Sequence, residues 1–347
     1  MTQDRPGPAL PWADAWEQAL YGPHGFYRRT GGPAAHFRTG VSASPLLAGA
    51  LARLARACGL HRVVDVGAGR GELLGQLAVH NPTLELVGVD VVPRPTGQPA
   101  SASAGLPASA GWLQAPGGAG LPPAEVLREV CRSALVVAHE WLDVVPCPVL
   151  EVDGNGVVRQ VEVDVRTGSE WLGAPADADE LDWVRRWWAV DGAAAGTRVE
   201  VGVPRDRAWA SLLGSAPDAV LLAVDYAHAR EDRPPFGTLA GFRDGRACPP
   251  RPDGSCDITA HVALDAVAAA GRSAGASATL LTTQRRALLG LGVDPRRPAA
   301  DPGHDPRGYL AALQRAGEAA ELVDPGGLGG FGWLLQSTGP PLPDLAP

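Results

Sequence analysis

Apolar residues follow two periods along this chain, one helical and one suited to buried strands. Residues 12–20 alternate apolar and polar positions as a short amphipathic helix does. Ser44 stands where a helix cap belongs, Pro45 takes the first helical position, and apolar residues recur at helical spacing as far as Cys58. Residues 61–66 and 84–89 are apolar runs of strand length, joined by a glycine-rich turn and a helical stretch over 72–79. That order of strand, turn, helix and strand predicts a βαβ unit in a parallel sheet. A helix over 123–132 and a strand over 134–138 continue it. Residues 148–153 and 157–165 alternate on either side of Gly154-Asn155-Gly156, which predicts a hairpin. A tryptophan-rich helix follows over 181–188, with Trp183, Trp187 and Trp188 spaced to pack against a neighbouring layer. Beyond it the pattern predicts strands over 198–203 and 220–224, the latter ending at Asp225-Tyr226. A short strand over 238–242 and a helix over 259–270 come next, with Asp257-Ile258-Thr259 as its N-cap. A strand over 279–281, two helical segments and a last strand near 331–335 complete the chain.

One stretch breaks this rhythm. Residues 93–123 are mostly Pro, Gly, Ala and Ser around Trp112 and Leu113, without charge between Arg94 and Glu125. Such composition predicts a flexible surface segment, dispensable for folding. The expected organisation is an α/β fold with a Rossmann-like, mostly parallel sheet and an added α+β lobe. A helical cap covers 1–60 and the ligand-binding core 61–147. A hairpin-and-helix lobe is inserted at 148–203, the rest of the sheet and a C-terminal lobe span 204–337, and a tail runs over 338–347.

Composition narrows the chemistry. All 30 basic residues are arginine, so mechanisms that need a lysine are excluded, including a pyridoxal Schiff base and the Walker-A phosphate contact. A net charge of −8 opposes a nucleic-acid partner and suits a cationic substrate. The five cysteines form no C-x-x-C pair and the eight histidines lack ligand spacing, so neither a disulfide framework nor a metal site is expected. No apolar run reaches the roughly 18 residues of a membrane span. The first ten residues carry no export signal. A cytoplasmic protein without a membrane partner is therefore expected, and a homodimer is compatible with the pattern.

The glycine turn reads Asp65-Val66-Gly67-Ala68-Gly69-Arg70-Gly71. Three alternating glycines allow positive φ and close approach of a ligand to the backbone. A dinucleotide turn requires G-x-G-x-x-G, and Glu72 stands at its sixth position, where it would repel a pyrophosphate. An acid two residues before the first glycine suits a ligand with a positive centre and no phosphate, such as S-adenosylmethionine. Asp90 ends the second strand and can accept ribose hydroxyls, a role it could play equally for a nicotinamide cofactor.

With these motifs the chain resembles the MidA-type S-adenosylmethionine-dependent methyltransferases, relatives of the mitochondrial complex I assembly factor that methylates arginine on a respiratory subunit. Blocks in order carry the resemblance: Ala19-Leu20-Tyr21-Gly22-Pro23 with Gly25-Phe26-Tyr27, Thr39 with Ser44-Pro45, residues 65–73, Glu140-Trp141-Leu142-Asp143 with Pro146, and Asp225-Tyr226. Gly237-Thr238-Leu239 with Gly241-Phe242, residues 257–262, and Asp324-Pro325 with Leu328-Gly329 follow. The resemblance implies a class I methyltransferase sheet with a substrate lobe, Gly67, Gly69 and Gly71 cradling S-adenosylmethionine, and Asp90 holding its ribose. It also implies a protein arginine as methyl acceptor. The chain departs from the family pattern at Ala35-His36-Phe37, Ser42, His139 and Ala227. Those departures leave open a second reading, a cofactor-binding assembly protein that has lost catalysis.

An arginine acceptor keeps its charge at any physiological pH, so carboxylates are the expected orienting groups. Glu140 and Asp143 follow the strand over 134–138 at the carboxyl edge of the sheet. Three residues apart on an opening helical turn, they would face the same side. Asp225 ends a neighbouring strand and would point at the same cleft. His261 would lie on the helix that follows Thr259.

Overall fold

The computed structural model describes residues 9–29, 44–95, 105–188, 190, 192–297 and 305–345. Its central sheet has seven strands: β1 (Arg62–Val66), β2 (Glu85–Asp90), β3 (Gly111–Gln114), β4 (Ala134–His139), β5 (Val220–Asp225), β6 (Ala278–Thr283) and β7 (Gly332–Ser337). Their order in space is β6-β7-β5-β4-β1-β2-β3. The five strands β1 to β5 pair in parallel. β7 runs antiparallel to both its neighbours, β5 and β6. The chain order reverses between β1 and β4, so a crevice opens beyond the carboxyl ends of those two strands.

Every residue of β4 and of β5 is buried. This is the signature of strands covered on both faces, and it accounts for their unbroken apolar runs. Helices Pro45–Ala57, Glu72–His80, Gln284–Gly290 and Pro306–Leu322 lie on one face, over a core built on Leu51, Leu74, Leu135 and Trp333. Helices Ala124–Val130, Val203–Gly214 and Leu264–Ser273 lie on the other, over Val136, Trp209, Leu221 and Val267. The Ser44 cap forms as the sequence predicts, its Oγ accepting from Leu46 N at 3.1 Å with Pro45 at the first position.

The second lobe is a five-stranded antiparallel sheet. The hairpin Val149–Val152 and Val158–Asp164 is its centre, flanked by Ala9–Pro11, Arg198–Glu200 and Glu170–Pro175. Its helix, Ala178–Trp187, opens with a reciprocal capping box between Asp177 and Glu180. Trp183 and Trp188 are buried, and the Trp183 indole donates to Asp206 Oδ2 at 2.7 Å, so this face packs against the core helix Val203–Gly214.

Two expectations are corrected. The segment expected to be flexible is built into the fold wherever it is described, residues 93–95 and 105–123; residues 96–104 lie outside the described residues. Gly111–Gln114 forms the edge strand β3 against β2. Gly88 in β2 makes room for Trp112, because a Cβ there would lie 2.4 Å from the indole ring. The Trp112 indole donates to Val92 O at 3.0 Å, and the Arg94 guanidinium donates to the carbonyls of Pro107 and Ala110. Pro116 O accepts from Arg28, and Gly117 packs beneath the Tyr21 ring. A few well-placed contacts hold this apolar-poor stretch, and average composition does not reveal them.

The second correction concerns residues 257–263. Asp257–Thr259 is a strand, antiparallel to Ala240–Arg243, and the helix begins only at Leu264. His261 therefore lies in the short connection between this strand and the strand Val262–Ala263. The pairing of Asp257 with Phe242 satisfies backbone groups that a helical N-cap would have left to its own side chain.

Candidate active site

The turn after β1 has the conformation its glycines allow. Gly67, Gly69 and Gly71 sit at φ +78°, +58° and +80°, a region closed to most side chains. The turn is tied to the end of β2: Gly67 N and Ala68 N donate to Val89 O at 2.9 and 3.2 Å, and Gly69 N donates to Asp90 Oδ2 at 2.8 Å. Asp90 Oδ1 accepts from Val92 N at 3.0 Å. A carboxylate has about four acceptor directions, so the residue that knits the turn can also accept a ligand hydroxyl.

Three acids crowd this turn. Asp65 is buried behind it, and burial with the nearby charges of Asp90 and Glu72 pushes its carboxyl up to about 8. Asp90 is pushed up to about 6, mainly by burial. Glu72 opens the following helix with Oε2 accepting from Arg70 N at 3.0 Å. A cluster of acids that resist ionisation is relieved by a cation. An ammonium- and sulfonium-bearing nucleoside fits that donor set, and a pyrophosphate does not.

Across the crevice lies the loop after β4. Glu140 stands at φ +53°, a left-handed conformation that costs a non-glycine residue about 1–3 kcal/mol and marks a site where surrounding structure overrides local preference. Its N–H donates to Val224 O at 2.8 Å. Its side chain is 19% exposed and lies 3.4 Å from His139 Nδ1. Burial lowers the His139 imidazole to about 4, so it stands neutral beside the carboxylate. Trp141 packs over the glycine turn: a Cβ on Gly67 would lie 3.5 Å from its ring. Tyr226, 39% exposed at the end of β5, stacks on His261 with ring centroids 5.6 Å apart and tilts onto Phe331 at 4.2 Å.

The predicted acids divide. Glu140 reaches the crevice. Asp143 and Asp225 are buried, and the 140–145 loop is no helical turn, so Glu140 and Asp143 do not share an exposed face. Asp225 braces the loop, accepting from Leu142 N at 3.3 Å and Asp143 N at 3.4 Å. Asp143 Oδ2 accepts from Thr259 Oγ1 at 2.8 Å, while Oδ1 has no N–H or hydroxyl donor. Burial and the Asp143 charge hold the Asp225 carboxyl far above the usual range.

Segments far apart in sequence meet behind this loop. The Trp16 indole donates to Ile258 O at 2.9 Å, Tyr21 Oη to Val144 O at 3.1 Å, and Tyr27 Oη to both oxygens of Asp257 at 2.9 and 3.0 Å. His36, Thr39 and Ser42 lie outside the described residues. Sequence reasoning missed Arg205. The signal was present, because it falls on the apolar face of its helix with Ala208, Trp209 and Leu212, where a charged residue is out of place.

Strand order, the antiparallel β7 and the acid-flanked glycine turn define a class I S-adenosylmethionine-dependent methyltransferase. Residues 120–282 match the family model described as "Putative S-adenosyl-L-methionine-dependent methyltransferase". A Burkholderia thailandensis protein crystallised with S-adenosyl-homocysteine is 26% identical, with a TM-score of 0.73 over 96% of this chain and 89% of its own. A native crystal structure from the same superfamily and organism is 25% identical, with a TM-score of 0.74 over 96% of this chain and 88% of its own. No curated protein matches the chain. Within the methyltransferases, these likenesses are to the MidA-like group.

Proposed function

We propose that the protein binds S-adenosylmethionine at the turn after β1 and transfers its methyl group to an arginine side chain of a protein partner. The S-adenosyl-homocysteine held by the B. thailandensis relative supports the donor half. The acids Asp65, Asp90 and Glu72 support it independently. The observation that carries the acceptor half is the strained, partly exposed Glu140, whose charge acts on the nearby Tyr226 hydroxyl. A carboxylate next to an aromatic face recognises a flat cation rich in N–H donors, through charge-assisted bonds and cation–π attraction.

The donor supplies an electrophilic methyl on a positively charged sulfur. The residues position and desolvate. Gly67, Ala68, Gly69 and Gly71 present backbone to the ligand, and Asp90 can accept its hydroxyls. Trp141 excludes water above the turn. Glu140 orients the acceptor guanidinium, stabilises the positive charge that builds on it as the methyl–sulfur bond breaks and the N–C bond forms, and accepts the N–H proton that the methylated nitrogen gives up. Asp143 and Asp225 hold the loop that carries Glu140 and do not touch the acceptor.

Glu140→Gln keeps the shape and removes the charge. S-adenosyl-homocysteine affinity, measured by calorimetry, is expected to stay within a few-fold, while methyl transfer into lysate protein falls by about 10²–10³. Equal labelling by the two proteins would reduce Glu140 to a strained loop residue. Tight donor binding by the wild type without any labelling would favour the assembly-protein reading.

A further inference from the structure

Arg205 lies on the core helix Val203–Gly214, outside every block that pointed to the site, and is 1% exposed. A buried guanidinium is costly unless each N–H direction is met. Here the partners are backbone carbonyls on two separate segments. Nε donates to Val145 O at 3.2 Å, Nη2 to Asp143 O at 2.9 Å and Nη1 to His261 O at 2.9 Å. The guanidinium carbon lies 5.7 Å from the centre of the Trp16 ring, and Trp16 itself donates to Ile258 O. One side chain thus spans the loop after β4 and the connection that carries His261. The first holds Glu140 and Asp143, and the second holds the ring on which Tyr226 stacks.

We infer that Arg205 is a positioning residue for methyl transfer, a three-pronged clamp that sets the acceptor carboxylate against the aromatic shelf. The inference rests on the acceptor reading above and adds the device that fixes its geometry. Two properties separate this role from plain core packing. The rigid fork matters, since an ammonium is a point charge that cannot meet three carbonyls in different directions. The charge matters too, because the Arg205 cation draws the Asp143 carboxyl down against the effect of its burial.

Arg205→Lys keeps the charge and loses the fork. Below its unfolding temperature it is expected to bind S-adenosyl-homocysteine within about three-fold of wild type, because the donor turn makes no contact with the clamp. Its turnover is expected to fall by about 10²-fold, the scale of a small misplacement of reacting groups. Arg205→Gln removes the charge and retains N–H donors. With aspartate ¹³C-labelled and Asp143→Asn used for assignment, the carboxyl titration of the Asp143–Asp225 pair is expected to move to higher pH in Arg205→Gln. Wild-type turnover in Arg205→Lys, or an unmoved titration in Arg205→Gln, would overturn the assignment. If the wild type itself transfers no methyl group, the acceptor reading fails, and the carboxyl titration still decides the clamp.

Discussion

At the scale of single residues, the donor site is a place where burial opposes charge. Asp65 and Asp90 start near the usual carboxyl range and are raised by the fold to about 8 and about 6. A raised acid favours folding in its neutral form. Its stabilisation is full below the unfolded value and is lost as pH rises through the folded one. The unliganded protein should therefore lose thermal stability as pH rises from about 4, most steeply up to about 6 where both acids contribute, and level off above about 8. A cationic donor binds the ionised acids, so its affinity should rise across the same window, by up to about tenfold per pH unit. Calorimetry at several pH values checks both limbs, and a pH-independent affinity would show that these acids do not face the ligand's charge. The turn itself was legible in the sequence, because alternating glycines behind an acid permit a close approach of backbone to ligand that side chains would block. Arg205 was not, because its partners are carbonyls contributed by segments about 60 residues away, and no spacing encodes that.

Among the elements, local pattern located most strands and helices and failed where long-range contacts override composition. The hairpin around Gly154-Asn155-Gly156 and the Ser44–Pro45 helix start follow from turn and capping chemistry, and both formed where expected. Residues 105–123 did not read as structure, because Gly, Pro, Ala and Ser say nothing of an aromatic ring arriving from residue 21. Gly117 is the clearest instance. At φ +103°, a Cβ there would lie 2.3 Å from Tyr21 Cδ1. Gly117→Ala is expected to destabilise the protein by about 1–3 kcal/mol through strain and a displaced ring. Chemical denaturation checks this, and an unchanged midpoint would return the segment to the status of a loose connection. The helix expected from Thr259 starts late for the same reason: pairing with Ala240–Arg243 draws Asp257–Thr259 into a strand.

Across the whole molecule, two lobes and an N-terminal helix converge on one crevice at the point where the sheet reverses its order. In the proposed reading β1 and β2 build the donor half and β4 and β5 the acceptor half, with Arg205 tying the loop after β4 to the connection at His261. A net charge of −8 suits a cationic partner and sets the long-range field in the same direction as the site. The chemistry of the product is the sharpest test of this arrangement. The protein is incubated with trideuteromethyl S-adenosylmethionine and host lysate, and labelled peptides are read by mass spectrometry. Trideuteromethyl groups are expected on arginine side chains, and are expected to be absent when Glu140→Gln replaces the wild type. Label on carboxyl or hydroxyl groups, or an arginine label that survives Glu140→Gln, would contradict the proposed transfer.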